Sequence, residues 1–312
     1  MTIDTIHVYP GSLAKFLAPL VDALPGREVV FVEDLPAALP DIEVLVHFTR
    51  EPFDWAPATK LRLIQVGGAG VDGLLPAEGL ADSVIITNAS GSHEPEMPEF
   101  AIAMMFALAY NVPTYVEQQR SKVWRPKVPR PIVGSTMCVV GMGTIGESIG
   151  RRAAALGMTV TGVRRSGEPI DGVSRMATME QRIDAIAGAD VLVVVAPLTD
   201  ETRGLIGAAE LAALAPNAIV VDVSRGGVTD IDAVVAALES GHLAGAAVDV
   251  FEPEPLPDNS PLWEVPNLLV TPHTAGNSRN YVSRWAETLA DNLVALEEGQ
   301  PLTNVIDRDR GY

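Results

Sequence analysis

The feature that most restricts the fold is the glycine-punctuated run GMGTIG at residues 141–146, set directly between the apolar stretch TMCVV and a helical pattern. A chain passes so tightly from strand to helix only where side chains are missing. Gly141 permits the turn, Gly143 lets backbone close on a ligand, and Gly146 allows the helix to pack on the strand. The amides of Thr144 and Ile145 then open a helix whose positive end favours phosphate. Such a turn also serves purely structural joins, but its strand and helix context favours a dinucleotide site.

Around this turn, short β-branched runs alternate with helical spacing. The first series covers residues 3–8, 29–32, 44–48, 61–66 and 84–87, and the second 137–140, 160–163, 191–195, 219–223, 246–250 and 268–270. Between them lie helical segments such as 145–156 and 231–239. Residues 99–120 read as a long apolar helix, the first part of which Pro113 should end or kink, and the segment after Asn277 reads as a helix closing at Gly299. The alternation predicts an α/β chain of two doubly wound parallel-sheet domains, with function at the carboxyl ends of the strands. A length of 312 residues fits two domains. The expected division is 1–98 plus 276–312 for one domain and 99–275 for the other.

Composition excludes several classes. One cysteine, Cys138, rules out a disulfide scaffold and a multi-cysteine zinc module, and no metal is expected. Forty acidic against 22 basic residues leave a net charge of −18, which repels nucleic acid. The apolar runs are too short for a membrane span. The opening MTIDTIHVYPG has no basic leader segment, so a reducing cytoplasm is the expected location.

The strand after the glycine turn should end, about 20 residues on, at an acid that binds the ribose hydroxyls of NAD. Here the chain reads Val163-Arg164-Arg165-Ser166. Two guanidiniums and a hydroxyl suit a 2′-phosphate through charge-assisted hydrogen bonds. Against a merely solvated basic loop, the position within a Rossmann unit and the general shortage of positive charge favour NADPH, with NAD possible.

Three more segments place a polar residue just past an apolar strand: VVDVSRGGVTD with Arg225, AAVDVFEPEPLP with Asp249 and Glu254, and LLVTPHTAG with His273. Together with IQVGGAGVDGL, MPEFAIAMMFAL, GMGTIGESIGRRAAALGM, VVAPLTDETRGLIG and the tail GQPLTNV, they resemble the D-isomer-specific 2-hydroxyacid dehydrogenases, of the glyoxylate/hydroxypyruvate reductase type, over nearly the whole chain. The resemblance implies a flavodoxin-like substrate domain, a Rossmann coenzyme domain and a homodimer. It matches Arg225 to the arginine on the substrate carboxylate and keto oxygen, His273 to the catalytic histidine and Glu254 to its paired acid, with Glu252 a decoy. It matches Ala69 and Gly70 to amides that hold the substrate carboxylate, Asp249 to an acid near the nicotinamide amide, and Pro197 and Ser224 to the coenzyme lining.

The chemistry suits these residue types. A ketone gaining hydride develops negative charge on oxygen, which a fixed guanidinium and a proton donor stabilise. A histidine beside a carboxylate supplies that proton. The resemblance therefore implies reduction of a small 2-keto acid to the D-2-hydroxy acid. Two alternatives remain at this point: a dinucleotide-sensing regulator on the same fold, against which the intact trio argues, and formate oxidation, which the resemblance ties to glutamine in place of Glu254.

Other residues read as ordinary. His7, His47 and His242 read as strand-edge or surface groups, His93 as a loop residue, Cys138 as core, and Met104 and Met105 as core. Arg50 and Trp55 read equally as substrate contacts or a surface turn. The basic arm 120–130, with Trp124, reads as either a solvated loop or a contact with a second subunit.

Overall fold

The computed structural model describes residues 2–49, 52–71, 74–75, 77–308 and 310. The chain forms two compact units, Met1–His93 with Ser278–Tyr312, and Glu94–Asn277.

The first unit contains β1 (Thr5–Tyr9), α1 (Ala18–Ala23), β2 (Glu28–Phe31), α2 (Leu35–Ala38), β3 (Val44–His47), β4 (Leu63–Val66), β5 (Ile85–Thr87) and the last helix, α9 (Tyr281–Glu298). Its strands pair in parallel in the order β2-β1-β3-β4-β5, the flavodoxin-like arrangement. Every residue of β3 and β4 is buried, because a parallel sheet is covered on both faces. On one face Trp285, Leu289 and Leu293 of α9 pack with Ile3, Ile6 and Val8. Gly299 closes α9 with a left-handed φ of 69°, which costs a glycine little.

The second unit holds α3 (Glu96–Ala109), α4 (Val112–Arg120), β6 (Thr136–Val140), α5 (Thr144–Ala155), β7 (Thr159–Val163), β8 (Arg175–Ala177), α6 (Arg182–Ile186), β9 (Val191–Val194), α7 (Ala208–Ala213), β10 (Ala218–Asp222), α8 (Ile231–Glu239), β11 (Leu243–Val248) and β12 (Leu268–Val270). The parallel order β12-β11-β10-β9-β6-β7-β8 reverses direction between β6 and β9. A ligand-binding crevice forms at such a switch point, where the loops after adjacent strands diverge.

The structure corrects four readings. The long apolar segment is two helices, broken at Asn111 with φ 57°, and Pro113 sits in the first turn of α4, where a missing amide is harmless. The short strand β8 carries no hydrophobic run. Trp55 is neither a surface turn nor exposed to a substrate, being 3% exposed and packed in a core with Leu45, Ile64 and Ile86; Arg50 lies outside the described residues. His47 is 1% exposed on the central strand β3, among the rings of Tyr9, Phe53 and Trp55.

Burial pushes the His47 imidazole down to about 4 from its ordinary 6.5. The unfolded chain therefore binds a proton more readily than the folded one, so folding stability is complete above about pH 6.5 and falls as pH drops towards 4. The loss amounts to about 3 kcal/mol at about 1.4 kcal/mol per pH unit. His7, also lowered by burial, acts in the same direction. Glu297, held down to about 2 first by its hydrogen bond from Arg27, loses its contribution only at lower pH, below the ordinary carboxylate range. Denaturant midpoints recorded across this window should fall for the native chain and fall distinctly less for His47→Gln.

Candidate active site

Each glycine of the 141–146 turn meets a different surrounding. A Cβ on Gly141, whose φ is 104°, would lie 2.6 Å from the Ala196 amide nitrogen, and one on Gly146 would lie 2.3 Å from the Gly141 carbonyl oxygen. A Cβ on Gly143 would meet nothing within 4 Å. Two glycines are thus needed by the fold, whereas the third, at the N-cap of α5, faces open space. The amides of Thr144 and Ile145 stand in the first turn of α5, where helical amides lack intrahelical acceptors. Pro197 follows β9 across the switch point, and its carbonyl accepts from Thr202 Oγ1 at 2.6 Å.

At the end of β7, Arg164 donates through Nη2 to the Glu168 carbonyl at 3.0 Å and lies 3.4 Å from Glu147 Oε1. Its Nε is buried with no hydrogen-bond partner, an orphan that a ligand oxygen would satisfy. Arg165 lies 3.4 Å from Glu201 Oε2. An open cradle at Gly143, amides opening α5 and an orphaned guanidinium nitrogen fit a dinucleotide, with the arginines one strand away from the turn.

Adjacent strands β10, β11 and β12 carry Arg225, Glu254 and His273 on the loops that follow them. Parallel neighbours end on the same edge, which brings the loops together. Glu254 Oε2 is 2.7 Å from His273 Nδ1, while Oε1 accepts from the Phe251 amide at 2.9 Å. The carboxylate is thereby fixed from both sides. Glu252 instead pairs with Arg203 at 2.7 Å. Arg225 is half-buried, and its Nη1 donates to the Ser224 carbonyl at 2.8 Å. Gly226 packs so closely beneath the neighbouring loop that a Cβ would lie 2.1 Å from the Phe251 carbonyl oxygen. The loops of Arg225 and Glu254 are therefore mutually placed by backbone contact.

Asp249 and Asp222 are inward supports. Asp249, 1% exposed, accepts from Thr271 Oγ1 (2.6 Å) and the amides of Thr274 (3.0 Å) and Ala275 (2.8 Å), while its carbonyl accepts from the His273 amide at 2.9 Å. These bonds hold His273 at a φ of 48°, a left-handed conformation uncommon outside glycine that persists only when neighbours enforce it. The carboxylate matched by resemblance to a nicotinamide contact is thus engaged by the loop that bears the histidine. Asp222 accepts from both the hydroxyl (2.5 Å) and the amide (2.8 Å) of Ser224, and complete burial raises its carboxyl above the ordinary range. The Ser224 side chain is accordingly turned inward.

In the first unit, Ala69 and Gly70 lie in the loop after β4, and the Ala69 carbonyl accepts from Asn88 Nδ2 at 2.6 Å. Asn88 was not singled out from the sequence; a lone asparagine among turn residues gives no periodic signal. His93 stacks on Tyr281 with ring centroids 4.7 Å apart. Cys138 is buried in β6, which pushes its thiol up to about 12. Among the described residues no cluster of three metal-ligating side chains occurs, and no helix is long and apolar enough to cross a membrane.

Comparison with known proteins places this geometry. Residues 102–275 match the model of the D-isomer specific 2-hydroxyacid dehydrogenase NAD binding domain. The chain is 32% identical over 300 residues to a glyoxylate reductase of Korarchaeum cryptofilum, covering 92% of this chain and 88% of that protein. Among solved structures, the NADPH-dependent glyoxylate/hydroxypyruvate reductase of Sinorhizobium meliloti, in complex with NADP and sulfate, superposes with a TM-score of 0.88 at 31% identity, covering 99% of this chain and all of that one. A D-isomer specific 2-hydroxyacid dehydrogenase from Xanthobacter autotrophicus Py2, in complex with NADPH and MES, gives 0.86 at 34% identity with 99% of each chain covered.

Proposed function

The chain belongs to the D-isomer specific 2-hydroxyacid dehydrogenases, and within them we propose an NADPH-preferring reductase that converts a small 2-keto acid of the glyoxylate or hydroxypyruvate type to the D-2-hydroxy acid. The observation that carries this reading is the fixed pair of His273 Nδ1 and Glu254 Oε2 at 2.7 Å, on a loop beside that of Arg225. Relatives named as glyoxylate and glyoxylate/hydroxypyruvate reductases support the substrate class, and two solved relatives in complex with NADP or NADPH support the coenzyme. The sensing alternative draws no such support.

The unit of residues 94–277 is assigned to the coenzyme and the other unit to the substrate. When bound, the reduced nicotinamide supplies the hydride. Residues 141–146 hold the pyrophosphate, and the loops of Pro197 and Ser224 complete its surroundings. With Nδ1 held by Glu254, His273 presents Nε2 as the nitrogen that gives its proton to the keto oxygen. Arg225 draws the substrate carboxylate and stabilises charge developing on that oxygen. The amides of Ala69 and Gly70 are assigned to the same carboxylate. Asp249 acts by holding the His273 turn. In oxidation the proton returns from the hydroxyl to His273. A steady-state screen of 2-keto acids with NADPH and NADH tests the reading, and turnover confined to other substrate classes would refute it.

The coenzyme preference is assigned to Arg164, Arg165 and Ser166. Replacing both arginines by alanine should raise the NADPH Kd by about 10- to 100-fold, the worth of one or two charge-assisted hydrogen bonds. NADH, having no 2′-phosphate, should bind nearly as before. Fluorescence titration of both coenzymes reads this directly, and equal losses would mean that the arginines serve the fold.

A homodimer and a cytoplasmic location complete the proposal. Trp124 is 99% exposed and lines one open surface groove with Tyr115 and Val123, apolar area that calls for cover. A second copy of the chain is the occupant we assign, so the mass in solution should be twice 33.0 kDa.

A further inference from the structure

The groups assigned above to the 2′-phosphate are already approached by carboxylates. Glu168 Oε2 lies 3.4 Å from the Ser166 hydroxyl and 3.5 Å from Arg164 Nη2. Gly167, at a φ of 62°, turns the chain back so that its amide donates to the Arg164 carbonyl at 3.3 Å. Glu168 is thereby folded over the residues that precede it. Glu201 reaches Arg165 alone, at 3.4 Å. Glu147, on α5, is shared between Arg151 at 3.6 Å and Arg164 at 3.4 Å. Of these three carboxylates, Glu168 alone places a single oxygen against both a guanidinium and the hydroxyl, the contacts that a phosphate oxygen would make.

We infer that Glu168 is a specificity-determining residue that competes from within the chain for the coenzyme's 2′-phosphate site. The inference rests on the reading of Arg164, Arg165 and Ser166 as that site. For NADPH to bind, the Glu168 carboxylate must leave Arg164 and Ser166, and it then remains close to a doubly charged phosphate. NADH imposes neither demand. The side chain is 75% exposed, so it swings aside readily and its charge is screened by solvent. The residue therefore moderates NADPH preference without abolishing it.

The test is Glu168→Gln, which removes the charge while keeping the shape. Its Kd for NADPH should fall about two- to five-fold, the range supported by one solvent-exposed ion pair. Adenosine 2′,5′-bisphosphate, used as a competitive probe, should tighten equally, while NADH and ADP stay unchanged. Raising the salt concentration should shrink the difference between variant and native chain, and Glu168→Asp should stay nearer the native value. The double alanine variant of Arg164 and Arg165 is measured alongside. If it loses NADPH selectively while Glu168→Gln leaves NADPH and the bisphosphate unchanged, or tightens ADP as much, the role of Glu168 is overturned and the phosphate site stands. If the double variant weakens both coenzymes equally, the phosphate site itself fails, and the inference fails with it.

Discussion

Replacing His273 by alanine should lower kcat for keto-acid reduction by about 10²–10⁴, the usual worth of a positioned general acid, or about 3–5 kcal/mol of barrier. NADPH binding should change by no more than about two-fold. The two effects separate because the proton donor and the pyrophosphate cradle are built on different loops: His273 follows β12, whereas residues 141–146 follow β6 at the switch point. The turn that carries the imidazole is held by Asp249 through the Thr274 and Ala275 amides, so removing the ring leaves the loop anchored. Steady-state kinetics beside coenzyme fluorescence titration measures both quantities. Turnover within about three-fold of the native enzyme would mean that another group supplies the proton.

The second large effect should follow Arg225→Ala. Removing a fixed donor from a developing oxyanion costs about 10²–10³ in rate, and here the same guanidinium is assigned to the substrate carboxylate. Both kcat and KM for the keto acid should therefore worsen, with kcat/KM down by about 10³ or more. Arg225→Lys should recover only part of the loss, because an ammonium cannot reproduce the planar fork of a guanidinium. The KM for NADPH should move little. A loss confined to KM, with kcat intact, would show that Arg225 binds the carboxylate in ground and transition states alike and leaves the oxygen to His273.

Local patterns exposed much of this site in the sequence, while partnerships across the fold stayed hidden. The turn at 141–146 is legible because three glycines, a strand and a helix fall within a few residues. The 231–239 segment forms α8 at those limits because its apolar spacing is purely helical, and Gly299 ends α9 because a left-handed residue favours glycine. His47 reads as a surface or strand-edge group because a histidine in a short run gives no sign of standing on the central strand among the rings of Tyr9, Phe53 and Trp55. Trp55 lies in a loop segment, where nothing local shows that its ring packs with Leu45, Ile64 and Ile86. The break at Asn111 depends on a left-handed backbone that asparagine tolerates but does not announce.

Long-range hydrogen bonding accounts for the remaining surprises. Asp249 reads as a ligand group from its position after an apolar strand. Only the folded chain shows its oxygens taken up by Thr271, Thr274 and Ala275, more than 20 residues away. Glu252 and Glu254 are nearly equivalent in DVFEPEP. Space separates them, giving one to Arg203 and the other to His273. Glu168 drew no attention as a surface acid until the turn at Gly167 set it against Arg164 and Ser166.

Reduction of a small 2-keto acid by this site can be followed by incubating the purified chain with hydroxypyruvate and NADPH and monitoring both reactants to completion. NADPH should disappear in stoichiometric balance with glycerate, and chiral chromatography should find only the D form. No coenzyme oxidation with hydroxypyruvate or glyoxylate, or formation of the L product, would contradict it.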